Sequence, residues 1–133
     1  MKAVFVDTFF FLALLNPADI AHSRAVAVSR SLRAKQVTTT WVLTEVGDAM
    51  SAPANRGNFV RFVSVLRNSS LITIVPASQE AFDSGFKLFS GRADKGWTLT
   101  DCISFVTMYD RAITDALTGD QHFVQAGFKA LLT

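Results

Sequence analysis

Four acidic residues, Asp7, Glu45, Asp101 and Asp120, are spread over almost the whole of a 133-residue chain, each where a metal-binding carboxylate would stand in an α/β fold. Magnesium and manganese take oxygen ligands and keep several waters, so three or four convergent carboxylates can hold one or two such ions beside a phosphate. Zinc is poorly served. Cys102 is the only cysteine, and His22 and His122 lie far apart with no paired-histidine helix motif. Carboxylates gathered together repel one another, so one or more should have a raised pKa until a cation binds.

Short apolar runs alternate with longer segments of helical spacing, which predicts βαβ units around a parallel sheet. Asp7 closes the apolar strand at residues 2–6 and so emerges at the C-terminal edge of the sheet, where open α/β sheets bind ligands. Thr8 can cap a helix to Leu15, stopped by Asn16 and Pro17. A second helix is expected from residue 19 or 20 to 34, then a β-branched strand at 36–39. Thr40 or a neighbour would cap the helix that carries Glu45, whose neighbours Val42, Leu43, Val46 and Ala49 look buried. A turn at 51–57 precedes a helix with Phe59, Phe62, Val63 and Leu66 on one face, and 71–75 is the third strand. Ser78 starts a helix expected to pack Phe82, Phe86 and Phe89 inward. The charged, glycine-flanked segment 91–96, expected to be mobile, leads into the helix of Asp101, which runs to about residue 111. A fourth strand at 113–117, a short helix at 121–126 and a strand at 129–132 complete the chain, with Asp120 just past the fourth strand.

The length suits one domain spanning residues 1–133. Half of the residues are hydrophobic and only 18% are charged, which argues for a packed globule with apolar surface to spare for a second copy or a partner. Asp7 interrupts the apolar N-terminal stretch, so neither a secretory signal nor a membrane span is expected. With a lone cysteine this fits a cytoplasmic protein. The net charge is +2, and gathering four acids at one site leaves a basic excess elsewhere, a modest hint of a polyanionic partner.

Three segments carry a family resemblance that covers the entire chain: Val4-Phe5-Val6-Asp7-Thr8, the stretch from Trp97 through Asp101 to Phe105, and Ala116-Leu117-Thr118-Gly119-Asp120-Gln121-His122-Phe123. The sequence resembles PIN-domain ribonucleases and, within them, the VapC-like toxins of type II toxin-antitoxin modules. The resemblance implies a three-layer α/β fold with a mostly parallel sheet of about five strands flanked by helices. It also implies a magnesium-dependent endoribonuclease, with manganese a ready substitute, leaving 3′-hydroxyl and 5′-phosphate ends. Asp7 and Asp101 would be the first metal ligands, completed by Glu45 and Asp120. The implied partners are RNA, a cognate antitoxin whose tail covers the cleft, and a second copy of the chain.

Around these acids, Thr8, Thr100 and Thr118 can orient carboxylates or water, Thr118 foremost. Arg92 and Lys95 can contact RNA phosphates, or belong to a solvated loop. Taken alone, Asp101 reads as a helix cap and Glu45 as part of an exposed face; the joint pattern points to a site. Asp115 falls inside a strand and lies outside it. His122 is placed as a cap or edge-packing residue of the last short helix, and Trp97 as a packing anchor. Two alternatives remain: a non-catalytic RNA-binding scaffold of the same fold, and a metal-dependent phosphatase or phosphotransfer domain. The second lacks the acidic pair and late lysine that a receiver-like fold would need.

Overall fold

Val4, Phe5 and Val6 are buried on both faces, the signature of a strand at the centre of a parallel sheet. In the computed structural model, which describes residues 2–133, this segment is β1 (Val4–Val6). It is followed by α1 (Thr8–Leu15), α2 (His22–Ser31), β2 (Gln36–Thr39), α3 (Thr40–Ala49), α4 (Pro53–Arg67), β3 (Ile72–Val75), α5 (Gln79–Gly91), α6 (Leu99–Asp110), β4 (Asp115–Leu117), α7 (Gln121–Gln125) and β5 (Lys129–Ala130). The five strands are all parallel, in the order β3-β2-β1-β4-β5. The chain moves outward from β1 on one side and resumes at β4 on the other. Strand order therefore reverses between β1 and β4, and the crevice beyond their C-terminal ends is where such sheets bind ligands.

The core runs through Phe5, Phe11, Phe105 and Phe123, all essentially inaccessible. Phe105 meets Phe123 edge to face at 4.9 Å, which ties α6 to α7. Trp97 is buried, packs on Phe105 and donates its indole N–H to Gln125 Oε1 at 3.0 Å, the anchoring role expected of it. Cys102 is buried on α6. Among the described residues no helix is long and apolar enough to cross a membrane.

Several local expectations are corrected. The second helix is shorter than periodicity suggests, because the Asn16 and Asp19 side chains accept from the N–H groups of Ala18 and Ala21 and hold residues 16–21 in turns. The turn expected at 51–57 is mostly helix: Pro53 sits at the first position of α4, where its missing N–H costs nothing. The last two strands are shorter than expected. The N-cap of α1 is Asp7 rather than Thr8, whereas that of α3 is Thr39, the neighbour of Thr40, as expected, its hydroxyl accepting from Val42 N–H. Ala49 is exposed, and so are Phe86 and Phe89, 46% each. The inward face of α5 is led instead by Gly85, where an added Cβ would lie 2.3 Å from Ile103 Cγ1, so the backbones of α5 and α6 approach too closely for a side chain.

Candidate metal centre

Asp7 occupies the N-cap position of α1, yet its side chain makes no capping bond. It is turned to another task. Asp7 Oδ2 accepts a hydrogen bond of 2.9 Å from Thr118 Oγ1, across the junction of β1 and β4 and 111 positions away in sequence. Thr118 Oγ1 in turn accepts from the backbone N–H of Asp120 at 3.0 Å. One fully buried hydroxyl thus fixes both the Asp7 carboxylate and the turn that presents Asp120.

Asp101 comes from the first turn of α6. Thr98 is the N-cap, and the two form a reciprocal capping box: Asp101 N–H donates to Thr98 Oγ1 and Thr98 N–H donates to Asp101 Oδ2. The capping interpretation of Asp101 is thus met through its place in the box, at the third helical position rather than at the cap itself. Its Oδ2 also lies 2.8 Å from His122 Nδ1. Asp120 caps α7, its Oδ1 accepting from His122 N–H at 2.9 Å, and its carboxylate lies 3.6 Å from His122 Nδ1. Asp101, Asp120 and His122 bring ligand-type atoms within 4.8 Å of one another. The second oxygens of Asp101 and Asp120 take no hydrogen bond from the described residues.

The electrostatics match this geometry. Asp7 is only 4% exposed, and its pKa is pushed up to about 7. Burial is the main cause, with the charges of Asp101 and Asp120 adding to it, while hydrogen bonds from Thr118 and the Thr8 backbone work the other way. No arginine or lysine pairs with Asp7, Asp101 or Asp120 among the described residues. The hydroxyl of Thr8 is buried next to Asp7 without a partner.

Glu45 lies half-buried in the second turn of α3, a helix packed against α1 and α6, but it makes no hydrogen bond or ion pair among the described residues. It is not in the tight group formed by Asp101, Asp120 and His122. Asp115 begins β4, at the end of the strand away from the acids, as its position in sequence implied. Thr100 is half-buried on the first turn of α6 and makes no hydrogen bond among the described residues.

His122 is the residue that sequence reasoning misplaced. It neither caps α7 nor packs at its edge; its ring reaches back to Asp101. The available signal was its position two residues after Asp120, in a turn that holds it beside the acids. Arg92 is also corrected, since it does not border the crevice. It lines a groove with Ser84, Lys87, Val106 and Asp110 on the side where α5 meets α6. Its guanidinium forms a two-point pair with Asp94 at 3.0 and 3.1 Å and lies over Trp97, 5.0 Å from the ring centroid. Within the loop expected to be mobile, a turn bond also runs from Lys95 N–H to Arg92 O. Gly96, the residue after Lys95, comes close to the site: a Cβ there would lie 4.0 Å from His122 Nε2.

No family model matches the chain. Over 125 residues, 94% of this chain and 95% of its relative, it is 24% identical to the 23S rRNA-specific endonuclease VapC20 of Mycobacterium tuberculosis. The crystal structure of that VapC20, described as a sarcin-ricin loop cleaving toxin, matches with a TM-score of 0.86 over the same shares of the two chains. FitAcB from Neisseria gonorrhoeae matches with a TM-score of 0.68 at 18% identity, covering 96% of this chain and 94% of that one. Five parallel strands, an acidic crevice at the switch point and these likenesses agree: the fold is that of a PIN domain, and the chain is VapC-like along nearly its whole length.

Proposed function

We propose that the protein is a divalent-metal-dependent endoribonuclease, with Asp7 and Asp101 as the principal metal ligands and Asp120 and Glu45 completing the site. The observation that carries this is geometric: Asp7, buried and held by Thr118, feels the charges of Asp101 and Asp120 at the C-terminal edge of the sheet, and no arginine or lysine pairs with any of the three among the described residues. Neighbouring carboxylates, two of them buried, are costly unless a cation or protons neutralise them. The donors fit a hard cation: carboxylate oxygens with one oxygen anchored by Thr118, Thr98 or the His122 backbone, and an orphaned Thr8 hydroxyl beside them. When bound, magnesium or manganese would polarise the phosphodiester and acidify a coordinated water.

The chain's own residues supply the rest. Thr118 holds Asp7 so that its charge faces the crevice, and His122 and the α6 capping box hold Asp101. Glu45 stands ready on α3 to bind a second ion or a metal-bound water. Lys95, beside Gly96 at the His122 edge, is a better phosphate contact than Arg92, whose charge Asp94 already engages. The likeness to VapC20 makes 23S ribosomal RNA the first substrate to test. It also supports a toxin role in the cytoplasm, a cognate antitoxin that covers the crevice, and self-association, for which the exposed Phe86 and Phe89 offer apolar surface.

The test is cleavage of total RNA by purified protein, with ends mapped. Cleavage is expected with magnesium or manganese, absent with a chelator, and lost in Asp7→Asn and Asp101→Asn. Equal cleavage by wild type and both variants would overturn the assignment.

A further inference from the structure

Phe9 follows Thr8 in the first turn of α1. Its neighbours Phe10 and Phe11 are buried, whereas Phe9 keeps 37% of its surface open to solvent. Its ring lies against Gly119. A Cβ at that glycine would fall 2.6 Å from Phe9 Cζ and 2.8 Å from Cε1, so any side chain there would displace the ring. Gly119 stands between Thr118, which holds Asp7, and Asp120. The open phenyl ring therefore lies against the turn that joins Thr118 to Asp120, and the bare glycine lets it lie close to that turn.

Phenylalanine has no atom that can ligate a cation or bond a phosphate. What it offers where it meets solvent is an aromatic surface, and every nucleobase can stack on one. Sequence-specific RNA recognition targets loops and single strands, whose splayed bases stack on such side chains. We propose that Phe9 is the stacking platform for an RNA base next to the scissile phosphate, setting affinity rather than the bond-breaking step. This deepens the nuclease assignment and rests on it.

The test uses an RNA oligonucleotide spanning a site that the wild type cleaves, together with Phe9→Leu, Phe9→Tyr and Phe9→Trp. Leucine keeps an apolar contact with Gly119 but has no ring. Phe9→Leu is expected to raise KM about ten-fold with kcat within about two-fold of wild type, whereas the Tyr and Trp variants keep a wild-type KM. The manganese-induced rise in melting temperature should be equal in all four proteins, which separates stacking from damage to the acids. With 2-aminopurine at either base flanking the cleaved bond, binding in an Asp101→Asn background should quench fluorescence, and adding Phe9→Leu should abolish the quench.

Wild-type kinetics for Phe9→Leu, or equal losses in the Leu, Tyr and Trp variants, would overturn the role. If Phe9→Leu does not fold, absence of quenching at both positions by the Phe9-containing protein overturns it. Failure of the wild type to cleave any RNA with either metal would instead remove the nuclease assignment, and the platform with it.

Discussion

The two ends of α6 handle charge in opposite ways. Toward its C-terminus, Arg92 and Asp94 satisfy each other: their hydrogen bonds hold the Asp94 carboxyl below its ordinary value and raise the guanidinium. Both side chains are largely exposed, so such a pair contributes little to stability. At its N-terminus, Asp101 joins the buried Asp7 and the half-buried Asp120 in a group that hydrogen bonds orient but no arginine or lysine balances among the described residues. A charge pair complete in itself needs nothing further, whereas an oriented and unbalanced set of carboxylates is arranged for something that arrives from outside. Function is therefore to be sought where charge is organised but not neutralised.

The largest expected effect breaks the unbalanced end. Asp7→Asn should lower RNA cleavage by roughly a thousand-fold, the scale for losing a principal electrostatic group of an active site, while Asn Oδ1 still accepts from Thr118 and the fold persists. Circular dichroism together with a cleavage time course checks both halves. Next comes pH. Because the folded-state pKa of Asp7 is about 7 against 3.8 ordinarily, the native protein holds a proton that the unfolded chain has released between those values. Metal-free wild type should therefore lose stability as pH rises from about 4 to about 7, by up to roughly 4 kcal/mol, whereas Asp7→Asn should lack that slope. Manganese should restore the loss at pH 7.5 and have little effect at pH 5, where Asp7 holds its proton; melting curves over pH with and without metal decide it.

A smaller effect concerns how Asp101 is held. His122→Ala should weaken manganese binding by about 10- to 100-fold, and His122→Asn, whose amide can donate in place of Nδ1, should recover part of it. Titration calorimetry would refute a positioning role if both variants bound like wild type. The smallest effect contrasts the basic residues. Lys95→Ala should lower the salt dependence of RNA binding by about one contact, and Arg92→Ala should leave it unchanged. Equal slopes for the two variants would show that the ends of α6 do not differ toward RNA.

Much of this was legible in the chain because short-range rules and long-range needs agreed. The strand before Asp7, the Thr118 hydroxyl and the order of elements are written in apolar period and turn residues, and the structure keeps them. Boundaries failed where side chains compete with periodicity, as when Asn16 and Asp19 hold turns that shorten α2. The four- and three-residue spacing of Phe82, Phe86 and Phe89 is compatible with a buried helical face, but Gly85 and Ile103 fix which side of α5 meets α6 and leave two of those rings in water. His122 and Arg92 were misplaced for a related reason: a long side chain's destination depends on what stands opposite, which spacing alone does not encode. Glu45 shows the same limit in milder form, since a helix can be located from sequence more readily than the distance its carboxylate must span.

The bond between Thr118 and Asp7 also sets a time order. Asp7 leaves the ribosome 111 residues ahead of Thr118, so the nascent chain carries one wall of the site while the other is still unmade. At 5–20 residues per second the interval is roughly 5 to 20 seconds. Completion then requires β4 to dock beside a β1 already flanked by β2, a pairing between distant parts of the chain that is slow by nature. The acids are thus kept apart until β4 has been made, and a product lacking β4 would be without the hydroxyl that holds Asp7.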